Sequence, residues 1–107
     1  MVLTRDFKEL VVARAQREPA FRTALLTEAV ECILNDELDT AKSLLRDYVN
    51  ATIGFQELGQ LINKEPKSLM RMLSKSGNPR LENISALLAS LTRHEGIELH
   101  VLSKGSE

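Results

Sequence analysis

The sequence predicts an all-α protein of five or six short helices, followed by a short β-strand near its C-terminal end. Three observations predict this fold class. Hydrophobic residues make up 43% of the 107 residues but aromatic residues only 4%, which favours packed helices over a sheet sandwich. Apolar side chains recur at three- and four-residue intervals along most of the chain. Glycine, proline and asparagine stand between these segments, where helices begin and end.

The length and composition indicate one compact globular domain in a reducing compartment. A chain of 107 residues is the size of a single domain. Cys32 is the only cysteine, so no disulfide can form within the chain. No apolar run approaches the roughly 20 residues of a membrane span, and the sequence does not begin like a signal peptide. We therefore expect a cytoplasmic protein without a membrane partner.

Residues 1–53 carry three predicted helices, which pack on the core and form a possible partner-binding part. Pro19 ends the first helix or begins the second. Asp36 or Asp39 can cap the third. The first helix has an apolar stripe of Leu3, Phe7, Leu10 and Val11. The stripe of the second is Phe21, Leu25, Ala29, Cys32 and Ile33. The third has the most regular stripe, Ala41, Leu44, Leu45, Tyr48 and Val49.

Residues 54–95 carry three more predicted helices, of which the first two are short. Gly54 precedes them as a left-handed stop. The two short helices are expected over residues 55–62 and 66–73, and a loop with glycine and proline follows. Gly96 closes the sixth helix, which has an apolar side formed by Leu81, Ile84, Leu87, Leu88 and Leu91.

Residues 96–107 form the tail. Ile97, Leu99 and Val101 alternate with other residues, which predicts a strand. A lone strand must lie on the helices, pair with a second copy or join a partner's sheet. Pairing of two tails, or packing of Leu87 and Leu91 across a two-fold axis, would produce a homodimer.

Positive charge is concentrated in one segment, although the whole chain has a net charge of −1. Residues 64–80 carry five basic side chains and one acidic side chain, whereas the residues on either side are net negative. A protein that contacts phosphates with one face needs such local charge. A solvated helix face is the alternative interpretation.

Residues 58–73 have the spacing of two helices joined by a tight turn. Asn63 stands at the turn, where Asn tolerates the left-handed conformation. Pro66 suits the first turn of the second helix. Gly59 is small where the two backbones approach each other. The apolar contacts between the helices are expected from Leu58, Ile62, Leu69 and Leu73.

The second of these helices is expected to project Lys67, Ser68 and Arg71 outward. Lys67 and Arg71 lie one turn apart, and a helix with that face fits the major groove, where Arg or Lys meets guanine O6 and N7. Met70 touches a thymine methyl group or packs inward. A helical hairpin that only packs is the alternative.

Residues 58–91 resemble the repressor/Cro-type (XRE) helix-turn-helix family. The match runs without a gap and includes Leu58, Ser68, Leu69, Arg71, Asn78, Pro79, Leu81 and Leu91. The string PKSLMRMLSKSGNP, residues 66–79, is most similar to the HigA-like addiction-module antitoxins. Phe55 departs from the family, since repressors often have a Gln there. Arg80 stands where a Ser often caps the next helix.

The resemblance implies a sequence-specific DNA-binding transcriptional regulator, the antitoxin of a type II toxin–antitoxin module that represses its own promoter. The implied partners are double-stranded operator DNA and a RelE/HigB-like toxin. The residues implied to face bases or phosphates are Lys64, Lys67, Ser68, Arg71, Lys75, Asn78 and Arg80. The alternatives are a regulator without a toxin, and a protein-interaction module with a vestigial helix-turn-helix.

The sequence favours a protein that is not an enzyme and needs no cofactor or metal. His94 and His100 are the only histidines, and neither has a cysteine or carboxylate at metal-ligand spacing. Cys32 belongs to an apolar stripe and is expected in the core rather than as a nucleophile. Ser68 has no base in a recognisable nucleophile pattern.

Overall fold

Six helices make up most of residues 5–105, the part of the chain that the structure, a computed structural model, describes. Side chains are described for residues 7–105. The helices are α1 (Arg5–Arg17), α2 (Pro19–Leu34), α3 (Leu38–Ala51), α4 (Gly54–Ile62), α5 (Pro66–Met72) and α6 (Leu81–Glu95). The predicted all-α fold is confirmed, and the two short helices begin and end within one residue of the expected positions. No helix in the described range is both long and apolar enough to span a membrane.

Helix α3 lies at the centre of the fold and contacts α1, α2 and α4. Its predicted stripe is confirmed, because Leu45, Tyr48 and Val49 are at most 1% exposed. One apolar core joins the two halves of the chain, and its fully buried members include Leu26, Leu45, Leu58, Leu69, Leu73, Leu87 and Leu91. The stripe of α2 is also confirmed, with Leu25, Ala29 and Cys32 buried.

The predicted apolar face of α1 is wrong in part. Phe7 is 46% and Leu10 is 68% exposed, whereas Ala15 is fully buried and Val11 and Val12 pack against the core. Small side chains therefore face α2 and α3, and the larger ones lie at the side of that contact. Leu3, the first residue of the expected stripe, lies outside the described residues.

Two helix boundaries follow the expected signals, and two do not. Pro19 begins α2, and Gly96 ends α6 with the positive φ angle, 75°, expected of a left-handed stop. Gly54 has a positive φ angle of 80°, but α3 already ends at Ala51 and Gly54 is the first residue of α4. Neither predicted aspartate caps α3: Asp36 itself has a left-handed backbone, with φ 61°, and the capping position belongs to Glu37, without a side-chain hydrogen bond.

The predicted C-terminal strand is wrong for the residues described. Ile97 and Leu99 pack against the core from an irregular segment, and no strand is present anywhere in residues 5–105. The Ile97 N–H donates a hydrogen bond to the Thr92 carbonyl at 3.0 Å, which directs the chain back along α6. The alternation of apolar residues therefore reflects a tail lying on the helices, one of the three arrangements expected for it.

The apolar face of α6 is shorter than predicted. Leu87 and Leu91 are fully buried, but Leu81 is 83% exposed at the start of the helix. Burial of Leu87 and Leu91 within their own core means that these residues cannot form the two-fold contact expected from the sequence.

A polar network joins α1, α2, α3 and the end of α6. The Tyr48 hydroxyl donates a hydrogen bond to Glu95 Oε1 at 2.6 Å, and Arg22 Nε contacts both carboxylate oxygens of Glu95 at 3.2 Å. Arg22 Nη1 also donates to the Ala15 carbonyl at 2.9 Å. Burial opposes ionisation of Glu95, but the hydrogen bonds from Tyr48 and Arg22 outweigh it, so its pKa lies below the ordinary value.

Candidate nucleic-acid interface

The turn between α4 and α5 has the conformation expected from its sequence. Asn63 ends α4 with φ 56° and ψ 52°, in the left-handed region. The next residue, Lys64, donates its N–H to the Gly59 carbonyl at 2.9 Å, which satisfies a carbonyl at the end of the helix. Pro66 then begins α5. The predicted arrangement of two short helices joined by a tight turn is therefore confirmed.

Gly59 is the point of closest approach between α4 and the turn. A Cβ atom at this position would lie 2.5 Å from the Lys64 carbonyl oxygen and 3.5 Å from the Pro66 ring. The expectation that Gly59 allows two backbones to approach is confirmed, and the neighbouring backbone is that of the turn.

The two short helices are held by the apolar residues that the spacing identified. Leu58 of α4, Leu69 of α5 and Leu73 are all fully buried, and Ile62 is partly buried against the same core. Helix α5 has only seven residues, too few to be stable alone in water. Its position therefore depends on this packing.

The outer face of α5 presents Lys67, Met70 and Arg71. All three side chains are exposed, and Met70, which the sequence left undecided, does not pack inward. Residues three and four apart share one face of a helix, so these side chains lie together. Ser68 is only partly exposed and stands at the side of this face, less outward than predicted.

The remaining candidate residues flank α5. Lys64 is exposed in the turn before it, and Lys75, Asn78 and Arg80 are exposed in the segment after it. Arg80 forms an exposed ion pair with Glu82, with 3.7 Å between Nη1 and the carboxylate. The other cations of the face, Lys64, Lys67, Arg71 and Lys75, form no ion pair within the residues that the structure describes. They are available to an anionic partner.

Two basic residues that the sequence did not identify contact the segment after α5. Lys42 and Arg46 of α3 donate hydrogen bonds to the carbonyl oxygens of Leu73, Lys75 and Gly77. No sequence pattern distinguishes Lys42 and Arg46 from the other polar residues of an amphipathic helix. Only the tertiary fold brings α3 against this segment.

Cys32 and His100, which were considered as a nucleophile and a metal ligand, have ordinary structural surroundings. Cys32 is buried in the core, and burial raises the pKa of its thiol, assisted by the nearby Glu37. His100 is exposed, with its Nε2 atom 4.0 Å from the Glu98 carboxylate. Across the described part of the chain, no group of three His, Cys, Asp or Glu residues could hold a metal ion.

No protein-family model, curated protein or solved structure matches the chain. The resemblance of residues 58–91 to repressor-type helix-turn-helix proteins therefore rests on the motif residues themselves.

Proposed function

We propose that the protein is a sequence-specific DNA-binding transcriptional regulator that reads DNA with α5. The observation that carries this proposal is the exposed pair Lys67 and Arg71, one helical turn apart on a helix anchored by the buried Leu69. Side chains at that spacing on an anchored helix can reach neighbouring base pairs, and each Arg or Lys can donate two hydrogen bonds to one guanine.

Docking of α5 in the major groove agrees with the cross-section of a helix. An α-helix with its side chains is about 10–12 Å across, close to the roughly 12 Å width of the groove. In this pose Lys67 and Arg71 donate to guanine O6 and N7, and the exposed Met70 contacts a thymine methyl group.

The flanking residues would bind the phosphates on either side of the groove. Lys64 precedes α5 and Lys75 follows it, so the cations bracket the helix along the chain. The partly exposed Ser68 and the exposed Asn78 add neutral hydrogen-bonding groups. Arg80 is already paired with Glu82, so its contact with a phosphate would have to compete with that carboxylate.

A homodimer is part of this proposal, since one short recognition helix spans few base pairs. Two copies reading half-sites about 34 Å apart would supply the missing specificity. The structure leaves Val101 74% and Leu102 91% exposed at the end of the tail. With Leu34, these residues line an open groove between α2 and α6 of about 530 Å³, which a second copy would cover.

We also propose, on the resemblance to HigA-like antitoxins, that the protein binds a small basic RelE/HigB-like toxin. A second surface supports this role. Residues 23–41 contain no basic residue, and their five acidic residues are all exposed: Glu28, Glu31, Asp36, Glu37 and Asp39. Leu38 is 49% exposed among them, and it shares an apolar cavity of about 220 Å³ with Leu81. An acidic surface with an apolar centre complements a basic protein.

Two rival functions predict different observations. A regulator without a toxin would bind DNA in the same way, but no gene for a small basic ribonuclease-like protein would neighbour its own. A protein-interaction module with a vestigial helix-turn-helix would use the acidic surface and bind no DNA specifically.

An electrophoretic mobility shift tests the proposed function. The probe is a duplex from the region upstream of the protein's own gene, and the control is a duplex of shuffled sequence with the same length and composition. The proposal expects a discrete complex with the upstream duplex that survives an excess of shuffled competitor. Equal binding to both duplexes, or binding to neither, would contradict it.

A further inference from the structure

Two basic side chains of α3 hold the chain immediately after the proposed recognition helix. Lys42 Nζ donates hydrogen bonds to the carbonyl oxygens of Gly77 at 2.7 Å and Lys75 at 3.1 Å. Arg46 Nη1 donates to the Leu73 carbonyl at 2.6 Å. Three carbonyl groups between residues 73 and 77 are thus fixed from an element 27 to 35 residues earlier in the chain.

The hydrogen bonds of the Lys42 ammonium with the Lys75 and Gly77 carbonyl groups satisfy a buried charge. Its residue is 8% exposed, and a cation so buried must be paired to be tolerated. The ammonium has three N–H donors: two serve the carbonyl groups, and the Asp39 carboxylate lies 3.6 Å from the same nitrogen. Arg46 contacts the carbonyl of Leu73, the C-cap residue of α5, where the carbonyl groups at a helix end carry partial negative charge and favour a cation.

The segment held in this way lies against α5 and carries residues of the proposed DNA face. A Cβ atom at Gly77 would overlap the carbonyl oxygens of Arg71 and Met72, so the two stretches of backbone are in close contact. The Ser74 hydroxyl also donates to the Arg71 carbonyl at 2.7 Å. Displacement of residues 73–77 would therefore move Lys75 directly and disturb the support of Arg71.

We propose that Lys42 and Arg46 are positioning residues for DNA binding, which they promote by fixing residues 73–77 against α5 without touching the nucleic acid. This inference rests on the proposed function. It makes residues 1–53 part of the DNA-binding apparatus, since the donors belong to α3 and their acceptors follow the recognition helix.

A first experiment examines the segment in the full-length protein without DNA. Lys42→Met keeps the apolar stem and removes the ammonium. Arg46→Met removes the guanidinium from a less buried position, and it provides the test if Lys42→Met does not fold. Both variants should shift the amide NMR signals of residues 73–78 and accelerate their hydrogen exchange, while the signals of α2 stay in place. Unchanged signals from residues 73–78 would overturn the inference.

A second experiment measures the affinity of the same variants for the upstream duplex by fluorescence anisotropy. Lys42→Met and Arg46→Met should each weaken binding to the duplex about tenfold or more, as expected when a charge-assisted hydrogen bond is removed. Arg46→Lys, which keeps a donor, should recover most of the affinity. Arg93→Met removes one exposed charge from the last turn of α6 and should leave the affinity unchanged. A loss as large in Arg93→Met would show that net charge, rather than positioning, sets the affinity.

A double-mutant cycle separates positioning from general destabilisation. In a protein that already carries Lys75→Ala and Asn78→Ala, Lys42→Met should cost less affinity than in the wild type, because the side chains it positions are gone. An equal loss in both backgrounds would overturn the inference while leaving the proposed function intact. Failure of the wild type to bind the upstream duplex would overturn both.

Discussion

Asn63 and Gly59 together determine the turn that sets the direction of α5, the proposed recognition helix. Asn63 is one of two non-glycine residues with positive φ in residues 5–105, and Asn is among the residues that bear this conformation at least cost. The Lys64 carbonyl oxygen lies so close to Gly59 that no Cβ atom would fit there. The direction of α5 relative to α4 therefore depends on one backbone conformation and one missing side chain.

Gly59→Ala should destabilise the protein. Alanine gains about 0.5–1 kcal/mol over glycine within a helix. The added Cβ atom, however, would lie 2.5 Å from a backbone oxygen that cannot rotate away. Such overpacking costs about 1–3 kcal/mol, so the steric term outweighs the gain in helix propensity. Urea denaturation measures the change in the free energy of unfolding.

Gly105→Ala is the matched control, since a Cβ atom at Gly105 meets nothing within 4 Å. It should leave the free energy of unfolding unchanged. A Gly59→Ala protein as stable as the control would contradict the close approach described for the turn.

Helix α5 is stabilised by its contacts with the rest of the fold. Its seven residues cannot repay the cost of helix nucleation, and its buried contacts come from Leu69, with Leu73 immediately after it. Arg46 adds a hydrogen bond to the Leu73 carbonyl from α3. Helix α5 is therefore stable only as part of the packed domain.

Leu69→Ala should cost about 2–5 kcal/mol, because the side chain is fully buried at the junction of the short helices with the core. Thermal unfolding followed by circular dichroism measures this loss. Met70→Ala, at the adjacent but 47% exposed position, should melt close to the wild type. Equal melting temperatures for the two variants would contradict the packing of α5.

Local signals in the sequence predicted α4, α5 and the turn between them. Asn63 and Pro66 act within a few residues of their own positions, so their effect can be read from the chain alone. The same holds for Gly54 and Gly96, which end or separate helices through their own backbone conformation.

Features that depend on distant contacts were not predicted. The tail around Ile97 has the alternation of a strand, but a strand needs a partner to complete its hydrogen bonds, and the helices supply an apolar surface instead. The exposure of Phe7 depends on how α1 crosses α3. Lys42 and Arg46 acquire their contacts only when α3 meets residues 73–77.

The whole molecule separates a positive face from an acidic surface and holds them on one core. Residues 64–80 carry the cations, whereas residues 23–41 carry only acidic charges. The network of Arg22, Tyr48 and Glu95 joins helices from both halves of the chain. The two surfaces adjoin, because the cavity beside Leu38 is also lined by Asn78.

Stability should fall in acid as Glu95 becomes protonated. Its pKa in the folded protein lies below the ordinary value of 4.5, so its contribution is fully present above pH 4.5. That contribution is lost as the pH falls through the pKa of the folded state. Glu95→Gln should cost about 1.5–3 kcal/mol at neutral pH, the range for hydrogen bonds to a charged group.

Urea denaturation as a function of pH tests this expectation. The difference between wild type and Glu95→Gln should shrink below pH 4.5. Glu98→Gln is the control, because Glu98 is exposed. A difference that stays constant down to pH 2 would contradict the role of the Glu95 charge.

The proposed dimer should be visible by sedimentation at micromolar concentration. The wild type should sediment as a dimer, and Val101→Ser with Leu102→Ser should shift it towards the 12.0 kDa monomer by making the exposed end of the tail polar. Leu10→Ser changes a similarly exposed leucine on α1 and should remain dimeric. A wild type that sediments as a monomer would contradict the dimer.

The most direct test of the central claim is the affinity of Lys67→Ala and Arg71→Ala for the upstream duplex, measured beside the wild type. Each bidentate contact with a base contributes about 1–3 kcal/mol of discrimination, so each variant should lose affinity for the upstream duplex by about that amount. Both side chains are exposed, so the melting temperatures should not change. Arg17→Ala, which removes an exposed cation from α1, should bind as the wild type does. If both α5 variants bind the upstream duplex as tightly as Arg17→Ala, α5 is not the helix that reads DNA.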